Sequence, residues 1–165
     1  MRNVFRAMAA TVALAAMTVP GAVSAATATG SFQVNMTVSG ACSVVSASDL
    51  SFGAQTTIAS NLDTSSTIAV QCTNTTPYSI GLSAGGGTGA TVASRLLTAG
   101  QATIPYTIYR DSNRTQLWGT TTNVDTVGGT GSGASQSYTV YGRVAPVASP
   151  AAGSYTDTVA ITVTY

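Results

Sequence analysis

A chain of 165 residues fits a single domain, and at 44% hydrophobic with seven tyrosines it carries enough apolar surface to bury a core. Only 7% of the residues are charged: six arginines and five aspartates, with no lysine, glutamate or histidine. That set excludes histidine-activated nucleophiles, lysine Schiff bases and isopeptide links, a lysine phosphate clamp, and a basic face able to release counterions from nucleic acid.

The first element is a leader. Arg2 and Arg6 form a positive start, residues 7–19 are a run of 13 small and aliphatic residues, and Pro20-Gly21 breaks the run before Val23-Ser24-Ala25. This is the order of a secretory signal peptide, residues 1–25, cleaved after Ala25 or Ala26. The run falls short of the roughly 18 to 20 residues a membrane-spanning helix needs. Cleavage leaves four arginines against five aspartates, a formal charge of −1. An exported chain meets an oxidising compartment, so Cys42 and Cys72 are expected to pair as one structural disulfide. No Cys-x-x-Cys motif and no histidine offers a zinc site, and no metal or cofactor is expected.

From Ser31 onward the residues alternate. Phe32, Val34, Met36 and Val38 share one face and Gln33, Asn35, Thr37 and Ser39 the other, the period of a half-buried strand. Further strands are predicted at residues 67–72, 78–84, 103–110, 137–144 and 155–165. Threonine-rich sequence favours them, because a branched Cβ suits a pleated surface while the hydroxyl faces water. Between them stand turn-forming segments, among them Asn74 to Pro77 in sequence, Gly85-Gly86-Gly87, Asp111-Ser112-Asn113 and the glycine-rich run 128–133. No helical periodicity follows Ala25, so an all-β, two-sheet sandwich is predicted. The last strand places Val159, Ile161, Val163 and Tyr165 on one face and runs to the final residue. At a sheet edge it would present unpaired backbone groups over an apolar groove.

The search for chemistry returns little. Asp49, Asp63, Asp111, Asp125 and Asp157 form no recognised constellation. Asp111-Ser112-Asn113 lacks the glycine and closing glutamate of a calcium loop and reads as a hairpin turn, and Asp157 reads as a hydrogen-bonded residue at a strand entry. Trp118 with Tyr106, Tyr109, Tyr138 and Tyr141 would suit a sugar-stacking platform, but Tyr106 and Tyr109 fall on opposite faces of one strand, which favours packing. No catalytic residue is expected.

Several segments carry a family resemblance: Phe52-Gly53, Val70-Gln71-Cys72-Thr73, Tyr106-Thr107-Ile108-Tyr109-Arg110-Asp111, Leu117-Trp118-Gly119, Tyr141-Gly142-Arg143-Val144 and Gly153-Ser154-Tyr155-Thr156-Asp157-Thr158-Val159. In this order over residues 30–165, the chain resembles the archaic, Csu-type chaperone-usher pilins that share the spore coat protein U domain. The resemblance implies an immunoglobulin-like β-sandwich lacking its final strand. It also implies a periplasmic chaperone that lends a strand, an outer-membrane usher, and completion of each fold by a neighbouring identical or related subunit. Under this reading residues 26–39 are a donor segment bearing Phe32, Val34, Met36 and Val38. Residues 40–165 are then the pilin body, with Val159, Ile161, Val163 and Tyr165 on the acceptor strand that also binds the chaperone. Such a subunit, shaft or adaptor, would reach the cell surface and support adhesion and biofilm formation. The competing reading is a secreted monomeric sandwich that uses residues 32–38 as its own first strand and binds carbohydrate through Trp118, or a spore or cell coat protein.

Overall fold

A computed structural model describes residue 21 and residues 23–165. The chain forms two units, Met1–Met36 and Thr37–Tyr165. The leader expected over residues 1–25 lies largely outside the described residues. In the first unit no strand forms over its described residues, and Phe32, Val34 and Met36 are exposed. The alternating stretch therefore has the pattern of a strand without a ladder to join.

The second unit holds eight strands: β1 (Cys42–Ala47), β2 (Leu62–Cys72), β3 (Pro77–Leu82), β4 (Arg95–Ala99), β5 (Ala102–Tyr109), β6 (Val127–Thr130), β7 (Ser135–Val144) and β8 (Ile161–Thr164). They make a five-stranded sheet in the order β1-β2-β7-β5-β4 and a three-stranded sheet in the order β6-β3-β8, all pairs antiparallel. This is the expected all-β, two-sheet fold. The alternation of each strand aims one row inward: Ile68 and Val70 of β2, Ile104, Tyr106 and Ile108 of β5, and Val140 and Val144 of β7 meet Tyr78, Ile80 and Leu82 of β3 in one core.

Three strands were not predicted. β1 carries two serines and no strict alternation, and β4 is five residues long with a polar Arg95. β6 overlaps the start of the glycine-rich run expected to be a loop. There Gly129 packs against the rings of Tyr78 and Tyr138, where a Cβ would meet the Tyr78 ring at 2.7 Å, so bulkless residues let β6 approach β3 closely. The strand expected over residues 155–165 shortens to Ile161–Thr164. Its first half is held by side chains and isolated backbone hydrogen bonds instead of a ladder, as described below.

Two buried polar anchors tie the sheets together. The Trp118 side chain is fully buried and its Nε1–H donates to the Ile80 carbonyl at 2.8 Å. Arg95, also fully buried, donates from Nε to the Ser83 carbonyl, from Nη1 to that of Val92, and from Nη2 to those of Leu82 and Trp118, at 2.7–3.0 Å. A charge removed from water in this way is tolerated because carbonyl dipoles surround it. Arg95 starts on the five-stranded sheet and ends on β3, so it bridges the two layers.

Cys42 and Cys72 form the expected disulfide between directly opposed residues of β1 and β2, closing a separation of 30 residues. Replacing both by serine is expected to remove roughly 3 to 4 kcal/mol of stability, read as a lower urea midpoint of the full chain relative to the oxidised wild type and matched by the wild type in reductant. On the outer face Asp63 accepts both Nε and Nη2 of Arg143, at 2.7 and 2.8 Å, and lies 3.3 Å from Arg114 Nε. The hydrogen bonds from Arg143 hold the Asp63 carboxyl below the ordinary carboxylate value, burial opposing them. A depressed folded value stabilises above the unfolded one and is lost as pH falls through it. Asp63→Asn is therefore expected to cost at most about 1 kcal/mol at neutral pH, given its solvent exposure. That gap closes on acid titration below pH 3.8 as Asp63 itself protonates.

Candidate strand-acceptor groove

Four strand edges border the two sheets, and they are not equivalent. The outer side of β4 is bridged by Thr98 and Thr156, which exchange backbone hydrogen bonds of 2.8 and 3.0 Å. β6 is four residues long, and its glycines offer no side chains to pack upon. That leaves β1, paired only with β2, and β8, paired only with β3. These two approach within 8 Å between Cα atoms yet share no ladder.

β8 presents backbone and apolar surface together. Ile161 and Val163 point at the core and remain half-buried, as does Val159 ahead of the strand, while Thr162 and Thr164 face outward. Three of the four residues expected on this face are thus aligned against the core. Tyr165, the fourth, is 61% exposed and does not cover them. Across from β8, β1 exposes Val44 and Val45. The register shifts between Val44 and Ser46, so Val45 is the extra residue of a bulge that twists this edge.

The entry to β8 is fixed by groups the sequence only hinted at. Asp157 accepts the Tyr106 hydroxyl at 2.7 Å and the Gly86 and Thr158 amides at 2.7 and 2.8 Å. Burial, and after it that hydrogen bond, push the Tyr106 phenol well above its ordinary value, so it stays a neutral donor. Ser83 takes the Ala160 amide on its Oγ at 2.9 Å and donates its own N–H to the Ala160 carbonyl at 3.0 Å. The segment before β8 is thereby clamped to β3 and β5, and β8 emerges as a rigid lip. Asp157 was legible as a hydrogen-bonded strand-entry residue; Ser83 and Arg95 carried no sequence signal.

Other candidates separate from this site. Trp118 has no exposed surface and Tyr106 is buried with it, so neither can stack on a sugar, and the carbohydrate platform is corrected to core packing. The Asp111 carboxylate is occupied by the amides of Thr115 and Gln116 at 2.7–3.2 Å and by the Thr115 hydroxyl, closing a tight turn. Asp125 accepts the Thr121 amide at 2.6 Å. These carboxylates organise backbone. What remains on the surface is geometric: an edge with free N–H and C=O groups above an incompletely covered core, which can take up an extended chain.

A sequence model of the Spore Coat Protein U domain matches residues 28–162. No curated protein matches the chain. Among solved structures, one chain of the crystal structure of the CsuC-CsuE chaperone-tip adhesion subunit pre-assembly complex, from archaic chaperone-usher Csu pili of Acinetobacter baumannii, is similar at 24% identity and a TM-score of 0.56. The match covers 78% of the present chain and 40% of the other, so this protein spans less than half the length of that relative. The likeness in structure is one of fold. With the family model spanning most of its length, this chain belongs to the Spore Coat Protein U domain family.

Proposed function

We propose that this chain is a structural subunit of a surface pilus, a shaft or adaptor component, exported by the leader at residues 1–25 and assembled by donor-strand complementation. The observation that carries the reading is β8: a strand with one partner, half-buried apolar residues and no cover on its outer side. A second feature supplies what it lacks. Phe32, Val34, Met36 and Val38 are 88%, 83%, 85% and 68% exposed, with the spacing of a strand that has one apolar face. In this reading residues 26–39 of one subunit lie along Val159, Ile161 and Val163 of the next, and residues 40–165 form the body.

The contact is heterologous, each subunit giving a strand at one place and receiving at another, so it propagates into an open filament instead of closing as a two-fold dimer. Burying the four donor side chains would contribute roughly 6 to 12 kcal/mol as an upper bound, before the cost of ordering the segment. Until a neighbour arrives the groove needs a temporary strand. A periplasmic chaperone meets that need, which the similarity to a chaperone-bound pilus subunit supports, and an outer-membrane usher would serve the later exchange. The destination is the cell surface, with adhesion and biofilm formation as the outcome. The monomeric carbohydrate-binding alternative loses its ligand contact because Trp118 is buried.

Val34→Asp with Met36→Asp places two charges on the donor face and leaves the body untouched. The double variant is expected to abolish fibres in electron micrographs of the host surface while the subunit still co-purifies with its chaperone. Fibres at wild-type density would show that another segment is the donor. A chain that, expressed alone, is a stable two-state monomer indifferent to an added peptide of residues 27–38 would remove the need for complementation altogether.

A further inference from the structure

The proposed donor is covalently joined to the strand that forms one lip of the groove, which raises the question of why a subunit does not complete itself. Residues 26–39 run directly into β1 with only Gly40 and Ala41 between them. To lie beside β1 in its own groove, the segment has to reverse direction within that short stretch. Tight reversals of this kind need one or two residues at positive φ, usually Gly or Asn.

The local structure opposes a reversal. Beyond the last ladder pair, Cys42 and Cys72, the two chains stay tied: the Thr73 amide donates to the Ala41 carbonyl at 2.8 Å, the Ala41 amide donates to Thr73 Oγ1 at 3.1 Å, and Thr73 Oγ1 lies 3.3 Å from the same carbonyl. Ala41 is thus held by three contacts to one residue. Gly40 is pressed against Thr76, where an added Cβ would stand 2.9 Å from Oγ1 and 3.0 Å from Cγ2. Gly40 is not among the glycines with positive φ, so its freedom is used for close approach and not for turning. Thr76 is a firm wall in turn, its amide bonded to the Thr73 carbonyl at 3.1 Å and its carbonyl to the Gly131 amide at 2.7 Å.

We infer that Thr73 and Thr76 form an exit clip that directs the donor segment away from its own body, so that a subunit gives its strand to a neighbour and not to itself. This rests on the donor reading above. Thr73 and Thr76 are positioning residues: their contacts with the exiting chain are to Gly40 and Ala41, and their effect is on the partition between closed monomer and polymer. Without the clip, the donor on its own chain would sit at an effective concentration on the order of millimolar and would outcompete a neighbouring subunit present at lower concentration.

The test compares full exported chains in the native host by size exclusion of the periplasmic fraction and by the share of protein in fibres. Thr73→Val with Thr76→Ala loosens the clip. An insertion of about twelve Gly and Ser residues between Ser39 and Gly40 leaves both threonines in place but gives the segment reach to either end of the groove. The insertion is expected to raise the monomer share about tenfold or more. Those monomers should not bind the chaperone, and Val34→Asp with Met36→Asp in the same chain should restore chaperone binding. The threonine pair is expected to shift the share in the same direction by a smaller factor, with the thermal unfolding of the body retained.

An insertion variant that polymerises like wild type overturns the proposal, and so does a folded threonine variant with the wild-type partition. If the threonine variant does not fold, the insertion variant alone decides, since its body is unaltered. Wild-type fibres that survive Val34→Asp with Met36→Asp would instead strike at the donor reading, an outcome distinct from failure of the clip.

Discussion

Among the described residues no strand pairs with the outer side of β8, and beneath that edge Ile161 and Val163 reach a core that is only half closed at that point. An unpaired polar group is inexpensive in water and costly beside apolar surface from which water withdraws. The two demands meet only when something extended lies there, satisfying the ladder and covering the side chains at once. Nearly every other feature of the domain makes sense as holding this edge open and in place.

Rigidity is supplied from inside. Trp118, in the loop after β5, and Arg95, at the start of β4, fasten that side of the sandwich to carbonyls of β3 and the residue after it, and β3 is the strand on which β8 is laid. Asp157 and Ser83 then fix the chain just ahead of Ile161. On the far side the disulfide holds β1, most of whose side chains are exposed and whose only ladder is with β2. A strand with so little burial gains much of its order from the crosslink. The lips of the groove are therefore kept by polar and covalent contacts, which do not compete with the apolar row for which the groove is shaped.

The period-two strands β2, β3, β5 and β7 were legible because each carries its core row at alternate positions with β-branched or aromatic residues, and the disulfide followed from export and an even cysteine count. β1 and β6 were not legible, since their residues are held by neighbours: a crosslink in one case, the closeness of glycine to tyrosine rings in the other. The apolar row of Val159, Ile161 and Val163, proposed above as the acceptor, showed in the sequence as an alternation, but its first residue sits in a clamped segment outside the strand. Arg95 defeats reading from sequence altogether, because a lone arginine at the start of a short strand looks like surface until four carbonyls, three of them from more distant segments, converge on it.

The charge-poor composition has a consequence at these edges. Sheet proteins commonly guard exposed edges with charged side chains, proline or inward-pointing lysine, which make addition of another strand costly. The sequences of β1, CSVVSA, and β8, ITVT, contain none of these. The charges the body does possess are spent elsewhere, Arg143 and Arg114 on Asp63 and Arg95 within the core. An unguarded edge in a protein that must stay monomeric is a liability, whereas in a protein built to receive a strand a guard would oppose its own assembly. The absence of charge on these two strands, beside apolar residues that still reach the core, therefore argues for a surface selected to be covered by another chain.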